Sequence, residues 1–188
     1  MKSSLLTEST STLVHLDDLT FDPYLDQSEI LTGVKAIASE INNHYRGKEI
    51  VLVGVLKGAF VFMNELIKHL QIPLEIEFIR VSSYEGTSST GKMNLSIDYP
   101  RSIKDKHIII IEDIVDSGLT AKYLLDRAEV FDPASIRMAS LFVKPDCVKT
   151  NVNIDYIGFE IPDHFIVGYG MDYNEKGREL ASVHKIVK

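Results

Sequence analysis

The sequence predicts an α/β fold, a mostly parallel twisted sheet flanked by helices, in a single domain spanning residues 1–188. Short β-branched apolar runs alternate along the chain with stretches whose apolar residues recur at helical spacing, and strand–helix alternation implies crossover units and a parallel sheet. The 188 residues, 45% of them hydrophobic, suffice for one sizeable core. No internal repeat or low-complexity linker interrupts the pattern beyond the Ser/Thr-rich first dozen residues.

Between Asp26 and Gly47 the residues Ile30, Leu31, Val34, Ala38, Ile41 and Tyr45 lie on one helical stripe, with Asp26 and Glu29 as a capping box and Gly47 as a stop. EIVLVGVL follows as a strand buried on both faces. After a turn at Lys57-Gly58, a second stripe runs from Ala59 to Leu70. The alternation repeats with a strand in LEIEFIRVSS, a polar loop, a strand in HIIIIED, and a helix from about Leu119 to Phe131. Strands in SIRMASLFVK and DYIGFEI complete the series. In such sheets ligands sit beyond the carboxyl ends of the strands.

Composition narrows the function classes. Lys and Arg number 20 against 27 Asp and Glu, and the net charge of −7 argues against a general nucleic-acid or anionic-membrane surface. The lone Cys147 forms no internal disulfide and reads as an unreactive side chain in a reducing, cytoplasmic setting. MKSSLLTESTST lacks the apolar core of a secretory signal. IVLVGVLKGAFVFM is broken by Lys57 and reads as strand, turn and helix rather than a membrane span.

GTSSTGKM, from Gly86 to Met93, nearly matches a P-loop, but Met93 stands where a hydroxyl should reach a metal ion. Pro100 also arrives too soon for the helix a P-loop requires. A stronger anion cradle follows the tetra-isoleucine strand, in IIIIEDIVDSGLT. There a turn at a helix start offers backbone N–H groups and the hydroxyls of Ser117 and Thr120, and Gly118 admits close approach. An ordinary strand-to-helix turn capped by Asp116 or Ser117 is the plain alternative. It leaves unexplained why Glu112, Asp113 and Asp116 crowd an anion site. Carboxylates repel phosphate, so they suit sugar hydroxyls or a metal ion, and phosphate, diol and metal together point to a phosphorylated ribose.

EDIVDSGLT resembles the 5-phosphoribosyl 1-diphosphate motif of the type I phosphoribosyltransferases. VGVLKGAFVFMNEL, SSYEGTSSTGK, LFVKP and GFEIPDHFIVGYGMDYNEKGREL extend the resemblance to the hypoxanthine-guanine phosphoribosyltransferases, from about Leu25 to the C-terminus. The resemblance implies a core over about 26–166, with a small hood from the N-terminal segment and about 168–188. It also implies transfer of phosphoribose from 5-phosphoribosyl 1-diphosphate to N9 of a 6-oxopurine, with Mg2+, in a homodimer or homotetramer. By the same resemblance Glu112 and Asp113 hold the ribose hydroxyls, which also bind magnesium, and Asp116 lies near N7 of the purine. The backbone from Asp116 through Ser117, Gly118 and Leu119 to Thr120 takes the 5′-phosphate. Lys57, Gly58 and Arg178 bind pyrophosphate, with Ser83 and Tyr84 folding over it as part of a lid reaching about Lys92. Lys144 donates to the purine O6, Phe165 stacks on the base, the Ile166 carbonyl accepts from it, and Asp172 is a second magnesium contact. Lys57 and Lys144 taken alone read as solvated lysines, Phe165 as strand core, and the lid as a passive hairpin loop. A regulator on the same fold that senses the activated ribose and binds nucleic acid is the competing class, and a P-loop nucleotidase a third.

Overall fold

The computed structural model describes residues 13–84, 94–96, 99 and 103–187. The chain begins with the antiparallel hairpin β1 (Val14–Leu16) and β2 (Leu19–Leu25), then α1 (Gln27–His44). It continues through β3 (Ile50–Leu56), α2 (Ala59–Ile67) and β4 (Leu74–Arg80). A small pair follows, β5 (Ser82–Tyr84) with β6 (Asn94–Ser96), then β7 (His107–Val115), α3 (Leu119–Glu129) and β8 (Ser135–Val143). The last strands are β9 (Tyr156–Glu160), β10 (Ile166–Val167) and β11 (Val183–Ile186).

The central sheet has five strands in the order β4-β3-β7-β8-β9, all parallel. Alternation along β7 explains why it reads as an unbroken apolar run. Ile109 and Ile111 join a core with α1 and α2 on one face, whereas Ile108 and Ile110 join a second core with α3 on the other. The crossover through α2 leads from β3 to one edge and that through α3 leads from β7 towards the opposite edge. The strand order therefore reverses between β3 and β7, where this architecture places its ligand crevice.

Over the crevice lies a second, antiparallel sheet in the order β1-β2-β11-β10. It joins residues from the two ends of the described chain. β2 contains Pro23, which β1 does not pair, since its register stops at Val14↔Phe21. A register shift between Val183 and His184 lies opposite that proline.

Local sequence signals account for α1. Asp26 Oδ1 accepts from the Ser28 and Glu29 amides at 2.7 and 2.9 Å, and the Asp26 amide donates to Glu29 Oε2 at 2.9 Å, completing the capping box. Three boundaries differ from expectation. α2 stops at Ile67 although the apolar stripe continues to Leu70, because Lys68 and His69 already turn back to Glu65 and Leu66 carbonyls. The strand expected over LEIEFIRVSS breaks at Val81, its last residues pairing instead with β6. β7 runs two residues past the expected HIIIIED, as far as Val115, held by pairing with β8 out to Val115↔Val143. The GTSSTGKM segment lies outside the described residues, and Ser83 and Tyr84 enter only as β5 backbone.

Ile109 is fully buried between β3, β8 and the α1–α2 layer. Ile109→Ala is expected to cost about 2–5 kcal/mol, read as a lower urea midpoint with an unchanged denaturant slope.

Candidate active site

Two turns meet at the carboxyl end of the sheet. The first follows β3, where the Leu56–Lys57 peptide is cis and Gly58 leads into α2. The second follows β7. Gly58 has no room for a side chain, since a Cβ there would sit 1.7 Å from Asp113 Oδ2. The two turns are thus in direct contact.

The β7 turn does not cap α3 with a side chain. The caps of the plain alternative, Asp116 and Ser117, are displaced from the N-cap by Gly118 at φ 78°, which has no side chain to offer, and the Leu119 amide makes only a long 3.5 Å hydrogen bond to Ser117 Oγ. Gly118 is required twice over, by its left-handed backbone and because a Cβ would meet Thr150 Oγ1 at 2.4 Å. The helix amides therefore face a cavity of about 130 Å³, lined by Glu112, Asp116, Ser117, Gly118 and Thr120. Leu119, by contrast, turns its side chain outward, 56% exposed.

Asp116 and Ile114 also line an adjoining cavity of about 190 Å³, with Asp113, Lys144, Phe165 and Asp172. Lys144 stands just beyond β8, its side chain only 7% exposed, and donates to Asp116 Oδ2 at 2.7 Å and Asp163 Oδ1 at 3.0 Å. Burial works to lower its pKa, but the two carboxylates outweigh that and leave it raised, so the ammonium stays charged. Phe165 is not strand core. Its ring is exposed at the cavity wall just before β10, flanked by Phe21 at 6.1 Å and, edge-on, by Tyr173 at 6.0 Å. Ile166 is buried in β10 and contributes to the same cavity.

The carboxylates of β7 are electrostatically stressed. Burial, then the neighbouring Asp113 charge, pushes Glu112 well above the usual carboxylate range. Burial also raises Asp113, although the Ile114 amide donates to its Oδ1 at 3.0 Å and Arg178 lies near enough to oppose the shift. Asp172 adds a like charge beside Asp113 and pairs with Arg178 at 2.7 Å. The three acids expected near magnesium do not form a closed protein site. Glu112 lines the smaller cavity while Asp113 faces Gly58 and Asp172, and among the described residues no group of three His, Cys, Asp or Glu is placed to hold a metal.

Arg178 donates to the Gly170 carbonyl at 2.8 Å and meets Glu175 Oε2 at 3.2 Å, the same oxygen that Lys57 reaches at 2.8 Å. Sequence reasoning assigned nothing to Glu175, Asp163, Phe21 or Tyr173. Each is a partner found only across the fold, although Asp163 and Glu175 sit inside a motif that was already conspicuous. Cys147, in the turn after Lys144, has its thiol pushed up by burial and by the Asp163 and Asp116 charges, as an unreactive side chain should.

An anion cradle at a helix start, adjoined by acids and a half-open aromatic slot at a strand-order reversal, defines a sugar-phosphate transferase site. Residues 21–174 match the phosphoribosyl transferase domain family, and the chain belongs to it. Among its relatives, the hypoxanthine-guanine phosphoribosyltransferase of Bacillus subtilis is 41% identical over 157 residues, covering 83% of this chain and 87% of that protein. The enzyme of that name from Mycobacterium tuberculosis is 39% identical over 166 residues, covering 85% and 82%. A solved hypoxanthine-guanine phosphoribosyltransferase from Bacillus anthracis aligns with a TM-score of 0.79 at 39% identity, covering 89% of this chain and 97% of that one.

The raised Glu112 pKa has a thermodynamic sign. Between the unfolded value near 4.5 and the higher folded value, the folded state binds more protons, so this residue removes stability as pH rises through that window. Glu112→Gln is expected to raise the melting temperature at neutral pH and to give no gain at pH 4, which paired thermal melts would check.

Proposed function

We propose that the protein is a purine-salvage enzyme that transfers the 5-phosphoribosyl group of 5-phosphoribosyl 1-diphosphate to N9 of hypoxanthine or guanine, giving IMP or GMP and pyrophosphate. The observation that carries this reading is the shared wall of the two cavities: Asp116 borders both the phosphate cradle and the pocket of Lys144 and Phe165. A ribose bridging them would place its 5′-phosphate on the amides from Asp116 to Thr120 and its C1 below the base.

In this reading the transition state carries positive charge on the sugar, and Glu112 and Asp113 lie where their oxygens accept from the ribose hydroxyls and stabilise that charge. The base rests on Phe165, with the Ile166 carbonyl accepting from it. Lys144 offers only donors, so it selects a 6-oxo group over a 6-amino group, and adenine is a poor substrate. Asp116 takes or shares a proton at N7 once the incoming base releases it from Lys144. Lys57, the Gly58 amide and Arg178 receive the pyrophosphate, with Ser83 and Tyr84 covering it to exclude water.

Mg2+ fits the donor set, because Asp113 and Asp172 are hard oxygen ligands whose mutual repulsion a divalent cation relieves. With only two acids adjacent, substrate oxygens complete its shell, and when bound it neutralises charge on the departing diphosphate. Self-association as a homodimer or homotetramer is supported by the edge strand β4, where Ile76 and Phe78 are exposed beside Phe60. Light scattering gives the subunit number. A cytoplasmic site is supported by a free Cys147 and, among the described residues, by the lack of any helix long and apolar enough to cross a membrane.

Nucleotide formation from hypoxanthine, guanine, xanthine and adenine with the activated ribose and magnesium tests the reading, and no turnover with hypoxanthine or guanine would falsify it. Asp116→Asn is expected to reduce kcat by about 100-fold or more while leaving KM for the activated ribose within a few-fold. An unchanged kcat removes Asp116 from the chemistry.

A further inference from the structure

Glu175 occupies a backbone position that disfavours it. Tyr173 and Lys176 exchange amide-to-carbonyl hydrogen bonds of 2.9 and 3.0 Å, closing a two-residue hairpin turn. Its central residues, Asn174 and Glu175, both have positive φ, 51° and 65°. This is the type I′ turn, in which asparagine suits the first position and glycine the second. A glutamate at the second position keeps a side chain where the backbone alone selects none.

What that side chain does is visible in its contacts. One oxygen, Oε2, accepts from Lys57 Nζ at 2.8 Å and meets Arg178 at 3.2 Å. Those cations come from distant parts of the chain, Lys57 lying 118 residues from Glu175 and Arg178 only three. The Glu175 amide also donates to Asp172 Oδ2 at 2.8 Å, which fixes the turn against the site. Both cations draw the carboxylate below its ordinary pKa, Lys57 more than Arg178.

We propose that Glu175 is a built-in stand-in for a diphosphate oxygen, holding Lys57 and Arg178 converged on one point and competing with the diphosphate group for it. The inference rests on the reading of Lys57 and Arg178 as diphosphate-binding residues, and it adds a positioning residue that sets how tightly the leaving group is held. Two anions cannot share the point between the cations, so the carboxylate must swing out when diphosphate enters and returns when it leaves. Glu175 therefore weakens retention of pyrophosphate and favours its release.

The test is calorimetric titration of inorganic pyrophosphate with magnesium into the wild-type protein, Glu175→Gln, Glu175→Gly and Arg178→Ala. The Gln and Gly variants are expected to bind about threefold to tenfold more tightly than wild type, with the gap narrowing at high salt. KM for the activated ribose falls in parallel while kcat does not rise. Glu175→Gly relaxes the turn and leaves the melting temperature equal or higher. If both variants bind no more tightly than wild type while Arg178→Ala loses binding, the stand-in role is overturned and the diphosphate reading stands. If Arg178→Ala binds as wild type does, the diphosphate reading fails and takes the proposal with it.

Discussion

Parallel pairing of β3 with β7, in register from Ile50↔His107 to Gly54↔Ile111, brings the turn after one strand against the end of the other. Everything at the site depends on that adjacency. It puts Gly58 so close to Asp113 that only glycine is admitted, and it aims the turn of Lys57 at the carboxylates of β7. The crossovers then carry β4 and β8 away on opposite sides, leaving a crevice between them. The antiparallel sheet roofs that crevice and delivers Phe165, Asp172 and Arg178 to it.

The charge pattern within the crevice follows a consistent physical logic. Lys144 is held between Asp116 and Asp163, and Arg178 between Asp172 and Glu175, so each cation is fixed before any ligand contact. Acids nevertheless outnumber bases there, with Glu112 and Asp113 buried besides. A polyanionic ligand entering such a cleft is favoured when a divalent cation accompanies it. The same excess explains the weakness the site introduces. Buried acids with raised pKa values lower stability at neutral pH.

The main-sheet strands and α1 are legible in sequence because their signals are local. Four consecutive isoleucines report burial on both faces, Asp26 and Glu29 cap across one turn, and the change from IIII to EDIVDSG marks the site. The family resemblance rests on motifs of the same contiguous kind. The roofing sheet is scarcely legible, since its strands run from two to seven residues, one contains Pro23, and its pairings join residues near Phe21 to residues near Ile186.

Local chemistry in the chain determined that a glycine-bearing turn at a helix start stands beside acids, because backbone amides, a glycine and neighbouring carboxylates are set by residue order alone. Tertiary structure decided which groups face each other: Lys144 with Asp163, Lys57 with Glu175, Phe165 with Phe21 and Tyr173. It also decided that Gly118, rather than Asp116 or Ser117, ends the turn, and that β7 runs on past Asp113 to Val115. Such contacts depend on loop closure and strand register over separations of 118 residues and more, and neither is encoded in any short segment.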